Sequence, residues 1–485
     1  MDKNLVALKP ALVWKHFAEI CNIPHPSGSE DKIRQYLVDF AVAQGIEHKV
    51  DEAGNVYMSK PATPGYEDRK GIVIQAHMDM VPQKNNDKVF DFINDPIEAY
   101  IDGEWVTANG TTLGADNGIG VAAILAVMED NSVEHGPIEG LITATEETGM
   151  DGAFGLRGGL LKGDILLNLD SETEGELYVG CAGGMDANIT IPYEAQAAPA
   201  GKALALTVKG CKGGHSGIQI ICQRANANKL LFRLLRLISK ECDVALCSVD
   251  GGGLRNAIPR EATATIIVPA EAEAKVMAMV EAFEKTVIVE FTDIEDSISV
   301  KAEGVEAPAE AMPKCVAERL MAAVVACPDG VEKMSVAMQG LVQTSNNLAR
   351  VVSDGHQVRL QSLMRSSSRS EKEALGDSIK AVFELAGAEV ELSGSYDGWN
   401  PNMKSPILKA MLASYEALYG ASPAVMAIHA GLECGIIGTN YPDMDMISFG
   451  PTICYPHSPD EKVEIASVEK FYDFLLHTLK NAPKK

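Results

Sequence analysis

Three short, largely apolar runs constrain this chain more than anything else in it, because each stops at a side chain that binds protons or metals. Residues 71–76 run into His77, residues 140–144 lead to Glu146 and Glu147, and residues 165–169 end at Asp170. Runs this short suit strands buried on both faces better than helices. Helical patterns lie around and between them, over residues 11–20, 31–45 and 119–127. Strands alternating with helices predict an α/β sheet with parallel pairing. In such sheets ligands collect at the carboxyl ends of the strands, which is where these acids and this histidine stand.

The rest of the chain divides by texture. Residues 53–55 (Ala-Gly-Asn) read as the turn of a hairpin. After about residue 186 the pattern changes to strand 203–208, helix 226–237, strand 262–268, helix 271–284 and strand 287–291. A related order recurs in strands 348–352 and 357–364, helix 371–385 and strand 388–392. Residues 394–401, rich in Gly, Asn and Pro, suit a junction. Beyond them the α/β texture returns with helix 405–418, strand 446–449 and helix 468–479. The expected organisation is therefore an α/β catalytic domain in two segments, 1–186 and 398–485. It is interrupted by an inserted α+β lid domain, 187–397, read as two similar halves.

Composition narrows the partners. The net charge is −25 over 485 residues, which repels phosphate backbones and anionic lipid, so neither nucleic acid nor membrane is expected. No run reaches the roughly 18 apolar residues of a membrane span, and the first residues carry neither a basic segment nor a small-residue cleavage site. The ten cysteines are scattered, with no C-x-x-C pair. A chain this large needs no disulfide staples, so reduced thiols and a cytoplasmic location are expected.

Five clusters carry chemistry: His77-Met78-Asp79, Asp116 in a Gly-rich loop, Glu146-Glu147, Asp170 and His457. Taken singly, each has an ordinary reading as a capped turn, a helix N-cap, a solvated face or a loop histidine. Gathered on one sheet edge, the carboxylates repel one another unless cations compensate them. Imidazole with carboxylate, and no thiolate spacing, suits Zn²⁺, Co²⁺ or Mn²⁺. More potential ligands are present than one catalytic zinc uses, which points to two metals sharing a carboxylate.

The motifs His77-Met78-Asp79, Gly114-Ala115-Asp116-Asn117-Gly118, Thr145-Glu146-Glu147, Asn168-Leu169-Asp170 and His457-Ser458-Pro459 together resemble the two-zinc amidohydrolase and peptidase family. That family holds aminoacylases, desuccinylases, carboxypeptidases and dipeptidases. Residues 76–87, 256–262 and 429–435 resemble its dipeptidases in particular. The resemblance implies that His77 and Asp170 ligate one metal, Glu147 and His457 the other, and Asp116 bridges. It further implies that Asp79 orients His77, that Glu146 is the general base, and that His215 stabilises the oxyanion, often across a homodimer. Asn256 and Arg365 would hold the substrate carboxylate, and Glu433 would either touch substrate or support the metal loop. The implied activity is hydrolysis of unblocked L-dipeptides, Xaa-His included, with two divalent ions, zinc foremost and cobalt or manganese as alternatives. An N-acyl amino acid deacylase and a non-catalytic metal-stabilised binding protein are the rival readings. No G-x-S-x-G elbow supports a serine hydrolase.

Overall fold

Residues Ile72–His77, Ile138–Thr143 and Ile165–Asn168 form strands in which every residue is buried, as apolar runs covered on both faces require. They lie in a computed structural model that describes residues 4–485. The chain divides into two compact units, one comprising residues through Cys181 with Trp399–Ala427 and Leu432–Lys485, the other Ala182–Gly398 with Ile428–Gly431. Both helices and sheets are substantial, so the fold is mixed α/β.

The first unit is built on an eight-stranded sheet. Its order is Glu47–Val50, Val56–Lys60, Ile138–Thr143, Ile72–His77, Ile165–Asn168, Asp445–Ser448, Glu176–Cys181 and Ala424–Ile428. The four strands from Ile138–Thr143 to Asp445–Ser448 are parallel neighbours. Their register decides which side chains meet at the strand ends. His77 stands opposite Thr143, and Asn168 stands opposite Gln75. Two residues beyond Asn168, Asp170 is thereby brought level with His77.

The helix Ala115–Glu129 is buried from Ala115 to Met128, as expected of a helix apolar on every side. Asp31–Gln44 stops where Gly45 takes a left-handed conformation, φ 65°, the usual helix terminator. Pro406–Tyr419 begins on Ser405, whose hydroxyl accepts the Leu408 amide at 3.0 Å. A four-stranded sheet of Ala99–Asp102, Trp105–Ala108, Ile453–Cys454 and Lys462–Glu464 has strands too short to show in the sequence. It fixes both ends of the loop that carries His457.

The second unit carries a nine-stranded sheet whose paired strands all run antiparallel. The helices Ala227–Ser239, Glu273–Glu290, Lys314–Ala326 and Arg369–Leu385 share one apolar core with it, through Leu231, Val280, Leu320 and Ile379 among others. Asn226 caps the first of these helices by accepting the Asn228 and Lys229 amides. The strand expected at 287–291 is not formed. Its β-branched residues make the last turns of the Glu273–Glu290 helix, because Val287 lies on the same stripe as Val276, Val280 and Phe283 and is buried with them. Among the described residues no helix is long and apolar enough to cross a membrane, and all ten cysteines are free.

Candidate active site

The register of the parallel strands delivers the site. His77 ends its strand, and its Nε2 stands 3.2 Å from Asp170 Oδ1 and 3.2 Å from Asp116 Oδ1. The other Asp116 oxygen, Oδ2, lies 3.2 Å from His457 Nε2, which is itself 2.9 Å from Glu147 Oε2. One carboxylate thus offers an oxygen to each of two groups, His77–Asp170 and His457–Glu147. The donor atoms of His77, Asp116 and Asp170 all fall within 4.8 Å of one another, and so do those of Asp116, Glu147 and His457. Glu146 completes a third such group with His77 and Glu147.

Local backbone makes this convergence possible. Gly114 takes a left-handed φ of 74°, and Asp116 at φ −83°, ψ 105° departs from the helix it opens. The Asn117 side-chain amide donates to the Leu169 carbonyl at 2.9 Å and to Asp170, tying this loop to the neighbouring strand end. Gly120 has no room for a side chain, since a Cβ there would meet Asn117 Oδ1 at 2.0 Å. Thr145 (φ 54°) and His457 (φ 58°) occupy the left-handed region without being glycine. Non-glycine residues held there cost about 1–3 kcal/mol each and gather at functional sites.

Asp79 does more than accompany His77. His77 Nδ1 donates to the Asp79 carbonyl oxygen at 3.0 Å, while the Asp79 carboxylate lies 3.5 Å away. That carboxylate accepts the Glu146 amide at 2.9 Å, the Glu147 amide at 3.2 Å and the Ser27 hydroxyl at 2.7 Å. Asp79 therefore anchors the acidic pair as well as the histidine strand. Burial alone would raise its carboxyl, but the His77 contact and these donors hold it at about 2.

The charges are unbalanced without cations. His457 is pushed up to about 11 by its contacts with Asp116 and Glu147. Burial opposes a charge on His77, yet Asp170, Asp116 and Asp79 outweigh it and raise that imidazole as well. Glu147 Oε1 is buried with no hydrogen-bond partner. Imidazoles drawn toward the cationic form, an orphaned carboxylate oxygen and a shared carboxylate are what a donor set for divalent cations presents. The residues fit such ions. Burial first, then Asp170, Glu433 and Glu147, raise Glu146 well above the usual carboxylate range against the opposing effect of His77, which suits a group that must take up a proton.

Beneath the ligands lies a polar network that the sequence did not reveal. Glu433, fully buried at the start of helix Glu433–Asn440, accepts Gln75 Nε2 at 2.6 Å and the Thr143 hydroxyl at 2.7 Å. Asn168 donates to Gln75 Oε1 at 2.6 Å. Burial pushes the Glu433 carboxyl up to about 7. Of the two roles expected for Glu433, this placement favours support of the strand ends. Glu461, by contrast, was missed. Only 2% exposed, it accepts three backbone amides of the loop leading to Asp116. Nothing in its local sequence separates it from the chain's many surface acids.

The remaining expected residues belong to the second unit. Gly214 and His215 form a two-residue antiparallel pairing with Ile258 and Ala257, His215 opposite Ala257. The His215 Nδ1 accepts the amides of Gly217 and Ile218, each at 3.1 Å. Two donors on Nδ1 leave the proton on Nε2. Burial, then Arg365, lower the pKa of His215, so it is neutral with a free N–H. Arg365 is 6% exposed, its Nε has no hydrogen-bond partner, and its Nη1 reaches the Tyr396 hydroxyl at 3.4 Å. Asn256 is exposed, and its carbonyl accepts the Ser216 amide at 2.8 Å. His429, also missed by the sequence, is buried against the Ser345 hydroxyl at 2.7 Å.

Residues 73–481 match the model of peptidase family M20/M25/M40. The chain belongs to that family. Its members are metal-dependent, and the chain is a hydrolase of peptide bonds. Across 99% of its length it is 46% identical to all of the cytosol non-specific dipeptidase of Escherichia coli (strain K12). It superposes on the crystal structure of aminoacylhistidine dipeptidase from Vibrio alginolyticus with a TM-score of 0.94 and 49% identity, over 99% of this chain and 98% of that one. A Staphylococcus aureus tripeptidase shares the fold at TM-score 0.57 and 18% identity, over 98% of each chain.

His429 supplies a pH test of this region. Burial, then Arg365, push its imidazole down to about 3 from 6.5. The unfolded chain gains a proton as pH falls through about 6.5, whereas the folded chain refuses it until about 3. Stability from this group is therefore full above pH 6.5 and drains as pH falls between those values. His429→Asn should remove that slope, about 1.4 kcal/mol per pH unit, in urea denaturation of both proteins from pH 7 to pH 5.

Proposed function

We propose that this chain hydrolyses unblocked L-dipeptides, Xaa-His included, at a site for two divalent cations. The observation that carries the reading is the pair of ligand groups sharing Asp116, with Glu146 beside them. Similarity to dipeptidases over nearly the whole chain favours it over N-acyl amino acid deacylation. A purely metal-stabilised binding protein has no use for a proton-accepting Glu146.

In this proposal His77 and Asp170 would hold one ion, Glu147 and His457 the other, and Asp116 would serve both. When bound, such ions, Zn²⁺ first with Co²⁺ or Mn²⁺ as alternatives, would supply Lewis acidity for the scissile carbonyl and the attacking water. Asp79 keeps His77 and the amides of Glu146 and Glu147 in place. Glu146 takes the proton of the attacking water and returns it to the leaving amine. His215 presents its Nε2–H to the developing oxyanion, a donor fixed in advance by the two amides on Nδ1. The second unit acts as the lid, and its Arg365, desolvated and with an unsatisfied Nε, takes the substrate carboxylate together with Asn256. A homodimer belongs to the same reading, since the resemblance that assigns His215 assigns it across a subunit pair. A cytoplasmic location is supported by ten free thiols.

The deciding experiment is a panel of dipeptides, tripeptides and N-acetyl amino acids, run with and without a chelator. Dipeptides should be cleaved, the other two classes poorly, and chelation should abolish turnover until Zn²⁺, Co²⁺ or Mn²⁺ is restored. Full activity of the metal-free protein would overturn the reading. Glu146→Gln should retain bound metal while turnover falls roughly 10²–10⁴-fold. Lost metal with undiminished turnover per ion would exchange the roles of Glu146 and Glu147. Arg365→Ala should lower kcat/KM far more for dipeptides than for their C-terminal amides, because an amide never makes the full charged contact. Equal losses on both substrates would make Arg365 structural.

A further inference from the structure

Two loops that carry ligands of the second group, residues 113–116 and 457–461, are joined by one buried carboxylate. Glu461 lies four residues after His457. Its Oε2 accepts the Leu113 amide at 2.8 Å and the Gly114 amide at 3.0 Å, and its Oε1 accepts the Asp116 amide at 3.2 Å. The Glu461 backbone is pinned in turn. Its amide donates to the Ser458 carbonyl at 3.0 Å, and its carbonyl accepts the Thr107 hydroxyl at 2.8 Å. Asp116 and His457 are 341 residues apart in sequence, so no local rule sets their separation. The carboxylate of Glu461 does, because it grips the backbone of one ligand from the loop of the other.

From this geometry we infer that Glu461 is a positioning residue that sets cation affinity chiefly at the Asp116–Glu147–His457 group, both of whose loops it holds. The other group depends on it less. His77 and Asp170 sit on strand ends fixed by sheet register, and Asp170 is tied to Asn117. His457 has no strand beneath it: it sits at a left-handed position in a loop, its side chain half exposed. Replacing Glu461 by Gln keeps the volume but turns one acceptor into an NH₂ group facing backbone N–H groups, so at least one of the three bonds must break. Groups that orient ligands typically contribute about 10–100-fold in metal affinity.

The inference rests on the two-ion reading above, and the test separates the two. Metal-free wild-type protein and Glu461→Gln are titrated with Zn²⁺ at pH 8 by calorimetry, with Co²⁺ absorption as a second readout. Wild type should bind two equivalents. The variant should weaken one equivalent by 10-fold or more and the other, which shares Asp116 but not the His457 loop, distinctly less. Thr107→Val, which loosens only the Glu461 backbone, should weaken the same equivalent by less, and it carries the test if Glu461→Gln fails to fold. Two unchanged affinities, or two weakened equally alongside a lowered Tm, would reduce Glu461 to a structural residue. A single equivalent in the wild type would remove the two-ion reading itself.

Discussion

Carboxylates crowded at the ends of parallel strands set the terms for the first unit. Asp116, Glu146, Glu147 and Asp170 converge with two imidazoles, one buried and one half exposed, and like charges so crowded are costly unless matched. The protein handles its acids in two ways. Those facing the cluster keep oxygens for cations, as the unpartnered Glu147 Oε1 illustrates. Those behind it, Asp79 and Glu461, are saturated by backbone N–H groups, which hold a carboxylate without adding a mobile charge. The supporting acids therefore fix geometry, and the facing acids supply chemistry.

This division explains what could be read from the sequence. The buried strands and the residues just past their ends were legible because apolar runs fix the strands, and strands fix where side chains emerge. His77, Glu146, Glu147 and Asp170 are of that kind. Glu461 was not, because its meaning lies in partners hundreds of residues away, the Leu113 amide being 348 positions before it; Glu433 was named by the resemblance with two roles open, and its partner Gln75, 358 positions before it, emerges only in the fold. A buried acid that accepts backbone amides looks, in sequence, like any surface acid.

The errors in fold have equally local causes. Residues 287–289 are β-branched and apolar, which favours a strand, yet the preceding helical stripe continues through Val287 and tertiary packing decides. The strands Ser299–Gly304 and Gly330–Met334 escaped notice because most of their residues are partly or fully exposed and alternate weakly. By contrast, Ala262–Val268 alternates over its first half, ends in an apolar run and is flanked on both sides by paired strands, so its boundaries were plain.

The place of Asp445–Ser448 in the first sheet has a consequence for how the polypeptide is made. This strand pairs with both Ile165–Asn168 and Glu176–Cys181, so the centre of the sheet stays open until residues beyond 440 have left the ribosome. Nearly all of the second unit, by contrast, is one uninterrupted stretch, 182–398. During synthesis it can close its core while the first unit still waits for its missing strand, exposing apolar edges of the kind chaperones cover. Premature termination between residues 398 and 445 should therefore leave the second unit's main stretch tethered to an aggregation-prone half-sheet, with no assembled site to rescue it.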